Sequence, residues 1–148
     1  MRDLYFDDFA PGQTFDSPTT TVTREQIVAF ATEFDPNPFH HDEAAAREAG
    51  YPCIIASGFH TLSISFRLFF DLGLWSTAIL PSPGLSAIKF VRPLYPDRMI
   101  RIRAEVLECI PSRSKPDQGL LRFQHDTLSD TGELILTAEC LHRLRRRG

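Results

Sequence analysis

A chain of 148 residues with 43% apolar side chains is long enough for one domain with a packed core and too short for two full ones. Sixteen Lys and Arg against nineteen Asp and Glu leave a net charge of −3, which gives the surface no overall attraction to nucleic acid. No run reaches the roughly 18 uninterrupted apolar residues of a membrane span: the most apolar stretch, 54–80, is broken by Ser57, His60, Arg67, Asp71 and Gly73.

The opening MRDLYFDDFAPG carries acids where a secretion signal needs positive charge and a long apolar run, so residues 1–148 are read as one cytoplasmic domain. Residues 13–22, QTFDSPTTTV, favour an extended edge or first strand with Pro18 as its point of interruption. Thr23 and Gln26 have the spacing of a capping box, and Ile27, Phe30, Ala31 and Phe34 recur on one helical face, which predicts a helix over 24–34 that Pro36 ends. Asp42 can cap a second short helix, EAAAREA, closed by Gly50.

From Gly58 to Leu72 apolar residues surround the helical wheel, so this longer helix is expected to be buried on most sides, with Arg67 and Asp71 paired four apart and Gly73 as its end. After a loop LPSPG the pattern turns to strands at 84–92, 99–110, 119–128 and 133–144, the last two joined by a tight SDTG turn and the middle pair by the longer link 111–119. Helices followed by strands joined without helical crossovers make an α+β chain with an antiparallel sheet. One curved sheet wrapping the apolar helix would enclose it, and the side left over asks for a partner chain.

Cys53, Cys109 and Cys140 are odd in number and lack metal-type spacing, so they read as buried small hydrophobes. Arg143, Arg145, Arg146 and Arg147 read as a solubilising tail, and Arg113 and Lys115 as a solvated loop that could at most grip the phosphates of a carrier. His125 and His142 fall in strand patterns as half-buried residues. Neither a metal-binding histidine pair nor a Gly-x-Ser-x-Gly elbow is present.

Two segments are candidates for chemistry. In DPNPFHHD, residues 35–42, the prolines either build an ordinary turn or brace Asp35 at a fixed distance from His40, a carboxyl and an imidazole suited to acid–base work. In IIASGFH, residues 54–60, Ser57 can cap the long helix, and Gly58 would leave a backbone N–H at its positive end for an oxyanion.

Asp35, Asn37, Pro38, Phe39, His40 and Asp42 follow the order of the hydratase motif, and AFATEFDPNPFHHD with IIASGFHTLSISFRL resembles the MaoC-like dehydratases and (R)-specific enoyl-CoA hydratases over about residues 5–145. The resemblance implies a hotdog fold, a long helix wrapped by an antiparallel sheet, usually paired through the sheets as a homodimer or larger homo-oligomer. It also implies reversible syn addition of water to a trans-2-enoyl thioester of coenzyme A or acyl carrier protein. His40 would take a proton from a water held between it and Asp35, and a protonated Asp35 of raised pKa would deliver one to C2. Gly58 would hold the thioester oxygen, Asn37 and Ser57 would support from behind, and no metal or redox cofactor would be needed. Ser57 stands where many members have His, and Phe39 is bulkier than their usual Ile or Leu. The same fold also serves acyl-CoA thioesterases and noncatalytic acyl-thioester-binding subunits.

Overall fold

Thr23 caps the first helix, α1 (Arg24–Phe34), with the expected box: its hydroxyl accepts from the Gln26 N–H at 3.1 Å, and the Gln26 side chain accepts from the Thr23 N–H at 2.9 Å. The computed structural model describes residues 2–148, so only Met1 of the expected domain lies outside it. Asp35 closes α1, donating its N–H to the Ala31 carbonyl at 2.9 Å before Pro36 turns the chain away. The carboxylate of Asp42 accepts from Ala44 N–H at 2.9 Å and caps α2 (Glu43–Glu48), and Gly50 closes it at φ 96°. The third helix, α3, spans Gly58–Phe70, with Ser57 as its cap and the Arg67–Asp71 pair at 3.0 Å near its end.

Six strands make one antiparallel sheet: β1 (Thr14–Asp16), β2 (Thr20–Thr21), β3 (Ile79–Phe90), β4 (Met99–Pro111), β5 (Gln118–Ser129) and β6 (Leu134–Arg145). Their order is β1-β4-β5-β6-β3, with β2 also on β4. Alternation decides the faces. Ile100, Ile102, Ala104 and Val106 of β4 and Leu121 and Phe123 of β5 are fully buried, while their neighbours in sequence face outward. Leu68 and Phe69 of α3 join that core, the Phe69 ring lying edge-on to Phe123 at 5.3 Å. Each such side chain contributes about 1.5–3 kcal/mol by leaving water, so the seam between α3 and the sheet holds the fold together. Among the described residues no helix is long and apolar enough to cross a membrane.

The structure corrects several expectations. The first strand is two short ones: Ser17 breaks the ladder by accepting from the Ile102 N–H through its own hydroxyl at 2.9 Å, and Pro18 follows. β3 begins at Ile79, so LPSPG is part of a strand. Its register slips between Leu80 and Gly84, because Pro81 and Pro83 have no N–H for a ladder and are tolerated only at a bulge on an edge. The helix α3 buries a single face, Thr61, Ser65, Leu68 and Phe69, and leaves Phe59 and Phe70 exposed. Cys140 is buried, but Cys53 and Cys109 are only partly so.

The C-terminal arginines are not a free tail. Arg146 binds Asp7 at 2.6 Å and Arg147 binds Asp8 at 2.7 Å, clasping the chain's two ends together. Gly119 lies beneath Phe6 so closely that an added Cβ would clash with the ring, which seats the N-terminal segment on β5. His125 and His142 are buried rather than half-buried, and burial pushes them down to about 3 and about 4, so both are neutral imidazoles near neutral pH.

Candidate active site

The prolines do brace Asp35 and His40. Asp35 leaves α1, Asn37 is extended, and Pro38 opens a single 3-10 turn, Pro38–His40, tied by His41 and Asp42 N–H groups to the Pro38 carbonyl at 3.1 and 2.9 Å. That turn swings the His40 ring back toward Asp35, and its Nε2 stands 3.2 Å from Asp35 Oδ2. Both side chains are largely enclosed, at 7% and 14% exposure.

Each partner is then held by its other atoms. Ile55, fifteen residues on, accepts from His40 Nδ1 at 2.7 Å through its carbonyl, while its own N–H donates to the Phe39 carbonyl at 3.2 Å. A carbonyl can only accept, so Nδ1 carries a hydrogen and Nε2 is the atom left to react. On the acid side, the Ser57 hydroxyl donates to Asp35 Oδ2 at 2.6 Å and the Asn37 amide donates to Oδ1 at 2.5 Å. The Ser57 hydroxyl above all, against the pull of burial, and then Asn37 and the neighbouring His40, hold the Asp35 carboxyl below the usual carboxylate range.

Two expectations change here. Asp35 and His40 touch directly, so no water fits between them, and Asp35 is lowered rather than raised. Facing each other at 3.2 Å, Nε2 and Oδ2 are close enough for a proton to pass directly between them.

Ser57 does two jobs, because the oxygen that serves Asp35 also accepts from the Phe59 N–H at 3.2 Å as the cap of α3. The next residue, Gly58, has no hydrogen-bond acceptor for its N–H among the described residues. That N–H lies at the positive end of a helix of 13 residues. The Phe90 ring covers the spot where a side chain would stand, 2.5 Å from an added Cβ, so only glycine keeps the approach open. His40 and Gly58 border one cavity of about 240 Å³ with Thr61, Phe90, Leu94 and Leu136.

The structure therefore brings Asp35, Asn37, His40, Ser57 and Gly58 to one place. His41 turns away to the Pro36 carbonyl at 3.1 Å, and Asp42 is a helix cap. Arg113 and Lys115 follow the far end of β4, a strand of 13 residues spanning ~40 Å, whereas the cavity meets the sheet where β6 starts. Within one chain they lie far from this site. Sequence reasoning missed the Ile55 carbonyl, the Phe90 lid on Gly58 and the Ser57–Asp35 bond, contacts between segments far apart in the chain. Among the described residues no three His, Cys, Asp or Glu side chains gather as metal ligands would.

Comparison with known proteins agrees with the motif. The protein is similar to the uncharacterized protein YdeM of Bacillus subtilis, with 37% identity over 112 residues, 76% of this chain and 79% of the relative. Its fold matches the crystal structure of the MaoC-like dehydratase from Rhodospirillum rubrum with a TM-score of 0.88 and 34% identity, over 98% of this chain and 99% of that one. It also matches the (R)-hydratase PhaJ1 from Pseudomonas aeruginosa with a TM-score of 0.76, over 98% of this chain and 88% of that one, where 18% identity shows the hotdog fold alone. The model of the MaoC like domain covers residues 8–126, and with the Asp35–His40 pair in its hotdog setting the chain belongs to the MaoC-like dehydratase family.

Proposed function

We propose that the protein is an (R)-specific hydratase that adds water reversibly across the trans double bond of a 2-enoyl thioester carried by coenzyme A or acyl carrier protein. One observation carries this reading: Asp35 and His40 stand 3.2 Å apart, and His40 borders the same cavity as the free N–H of Gly58. Hydration needs a group to take a proton from water, a group to give one to C2, and a donor for the oxygen where charge collects.

The reacting state has Asp35 ionised and a hydrogen on each ring nitrogen of His40. The Asp35 carboxylate then takes a proton from the attacking water, whose oxygen bonds to C3, while the C2–C3 π electrons move toward the thioester carbonyl. His40 Nε2 gives its proton to C2 as the enolate collapses, and the pair ends with one proton, as it began. Passing the proton across the 3.2 Å contact first would exchange the two roles without changing the balance. The Gly58 N–H and the α3 dipole stabilise the enolate oxygen, by ~3 kcal/mol on the scale of other oxyanion donors. No metal or redox group enters these steps.

The test is the absorbance of crotonyl-CoA and longer enoyl-CoAs, and of acyl carrier protein thioesters, followed with wild type, His40→Ala and Asp35→Asn. Loss of the enoyl absorbance without thiol release is expected, falling ~100-fold or more in either variant. Thiol release with an intact double bond would point instead to a thioesterase, and unchanged turnover in both variants would remove the assigned pair.

A further inference from the structure

Asp35 stands at the end of a helix whose last turn has little beneath it. α1 buries Ile27 and Ala31, while Thr32, Glu33 and Phe34 are exposed. A cap residue is placed no more precisely than the helix it ends. The Ser57 hydroxyl fixes Asp35 at one point, 2.6 Å from Oδ2, and one contact between two rods leaves them free to turn about it.

His60 supplies a second point. Three residues beyond Ser57, in the first turn of α3, its ring lies flat on that of Phe30 in α1, with centroids 4.5 Å apart and planes inclined by 4°. Phe30 in turn packs on Phe34, one helical turn further along, with ring centroids 5.2 Å apart. Phe34 is the residue before Asp35. A ladder of three rings therefore runs from the start of α3 to the end of α1, beside the Ser57–Asp35 bond. His60 Nδ1 is buried without a hydrogen-bond partner, and burial holds the imidazole below the ordinary histidine value. The ring is thus neutral near neutral pH, and its face makes the contact. Arg67 and Asp71, which border the same cavity as His60 between α1 and α3, are paired with each other at 3.0 Å.

We infer that His60 is a positioning residue for the Asp35–His40 pair: with the Ser57–Asp35 bond, its stack on Phe30 fixes the angle between α1 and α3 and hence the place of Asp35. Asp35 lies ~7.5 Å beyond Phe30 at the helical rise, so turning α1 by ~10° about that point would move it by ~1.3 Å. A misplacement of ~1 Å can cost ~100-fold in rate. The role in turnover rests on the hydratase reading, whereas the placing of Asp35 does not.

Carbon NMR of aspartate-labelled protein follows the Asp35 carboxyl through its own titration without any substrate. His60→Ala is expected to raise its pKa toward the ordinary carboxylate value, because a looser α1 weakens the Ser57 bond that lowers it. His60→Phe keeps the flat face, drops both nitrogens and should leave the titration where wild type has it. Crotonyl-CoA hydration should follow the same order, with kcat falling roughly 10–100-fold in His60→Ala, KM changing by less than about twofold, and His60→Phe close to wild type. Phe30→Leu breaks the stack from the other helix and is expected to match His60→Ala, which covers the case of one variant failing to fold. An Asp35 titration and a kcat unmoved by loss of the stack overturn this inference. Equal changes in His60→Phe also overturn it, since they would assign the effect to the imidazole nitrogens. A shifted titration in a protein that hydrates no enoyl thioester keeps the placing of Asp35 and removes the hydratase reading.

Discussion

Asp35 is governed by a residue that stands 22 positions away. The Ser57 hydroxyl gives its hydrogen to Oδ2 at 2.6 Å and is the largest cause of the lowered carboxyl, so it decides at what acidity the pair can still use a carboxylate base. A lowered acid keeps its charge above its ordinary value and loses it only as pH falls through the folded value, so the protonated form is confined to more acidic solution in wild type. Ser57→Ala removes the bond and lets that loss occur at higher pH. The acid limb of kcat/KM for enoyl-CoA hydration is expected to move to higher pH in the variant. The helix cap is lost in the same step, at a cost of about 1 kcal/mol in a denaturant titration. An unmoved acid limb beside the stability loss would mean that Ser57 caps the helix and does nothing for Asp35. The limb is the informative readout, because a purely structural serine would not shift it.

At the scale of elements, the segment from Asp35 to Ser57 is a strap that binds itself twice. The reciprocal bonds of Phe39 and His40 with Ile55 tie the turn to the approach of α3, and the Ser57–Asp35 bond repeats the tie one step on. Pro38 starts that turn with its φ already set. Pro38→Ala is expected to cost about 0.4–1 kcal/mol through a freer unfolded chain, and to lower kcat more than it raises KM, because the pair is less well held before substrate arrives. Stopped-flow or steady-state assays over an enoyl-CoA series check the split; equal kcat with a raised KM would show that the proline serves binding instead. Much of this element was legible in the sequence. The capping box at Thr23, Pro36 as a stop and Asp42 as a cap are local signals, and each stands where its spacing put it. The direct Asp35–His40 contact was not legible, since whether a water intervenes depends on how the Ile55 carbonyl turns the ring. LPSPG was misread for a related reason: two prolines mark a loop locally, and only the free edge of the sheet lets a strand pass through them.

For the whole molecule, the unanswered side is the outer edge of β3. Ten of its 12 residues are exposed, and among the described residues no strand pairs with that edge. Leu85, Ile88 and Phe90 with the adjoining Val91 make it apolar, and Phe90 extends the patch to Phe59 on α3, ring centres 6.4 Å apart. An edge this long, with a row of unpaired N–H and C=O groups, is a template for another strand, and a second copy of β3 offers the matching one antiparallel across a twofold axis. The register slips at Leu80–Gly84 and at Ser86–Lys89 would confine such pairing to the short regular stretches beyond them, the last of which runs into Phe90. Since Phe90 lies over Gly58, a partner seated there would also shield the Gly58 end of the cavity from water. Analytical ultracentrifugation is therefore expected to show a dimer at micromolar concentration. Ile88→Lys places a charge in the middle of the patch and should yield monomers with reduced enoyl-CoA turnover but an unchanged circular dichroism spectrum. A wild type that sediments as a monomer, or a monomeric variant of full activity, would show that the β3 edge neither joins two copies nor closes the site.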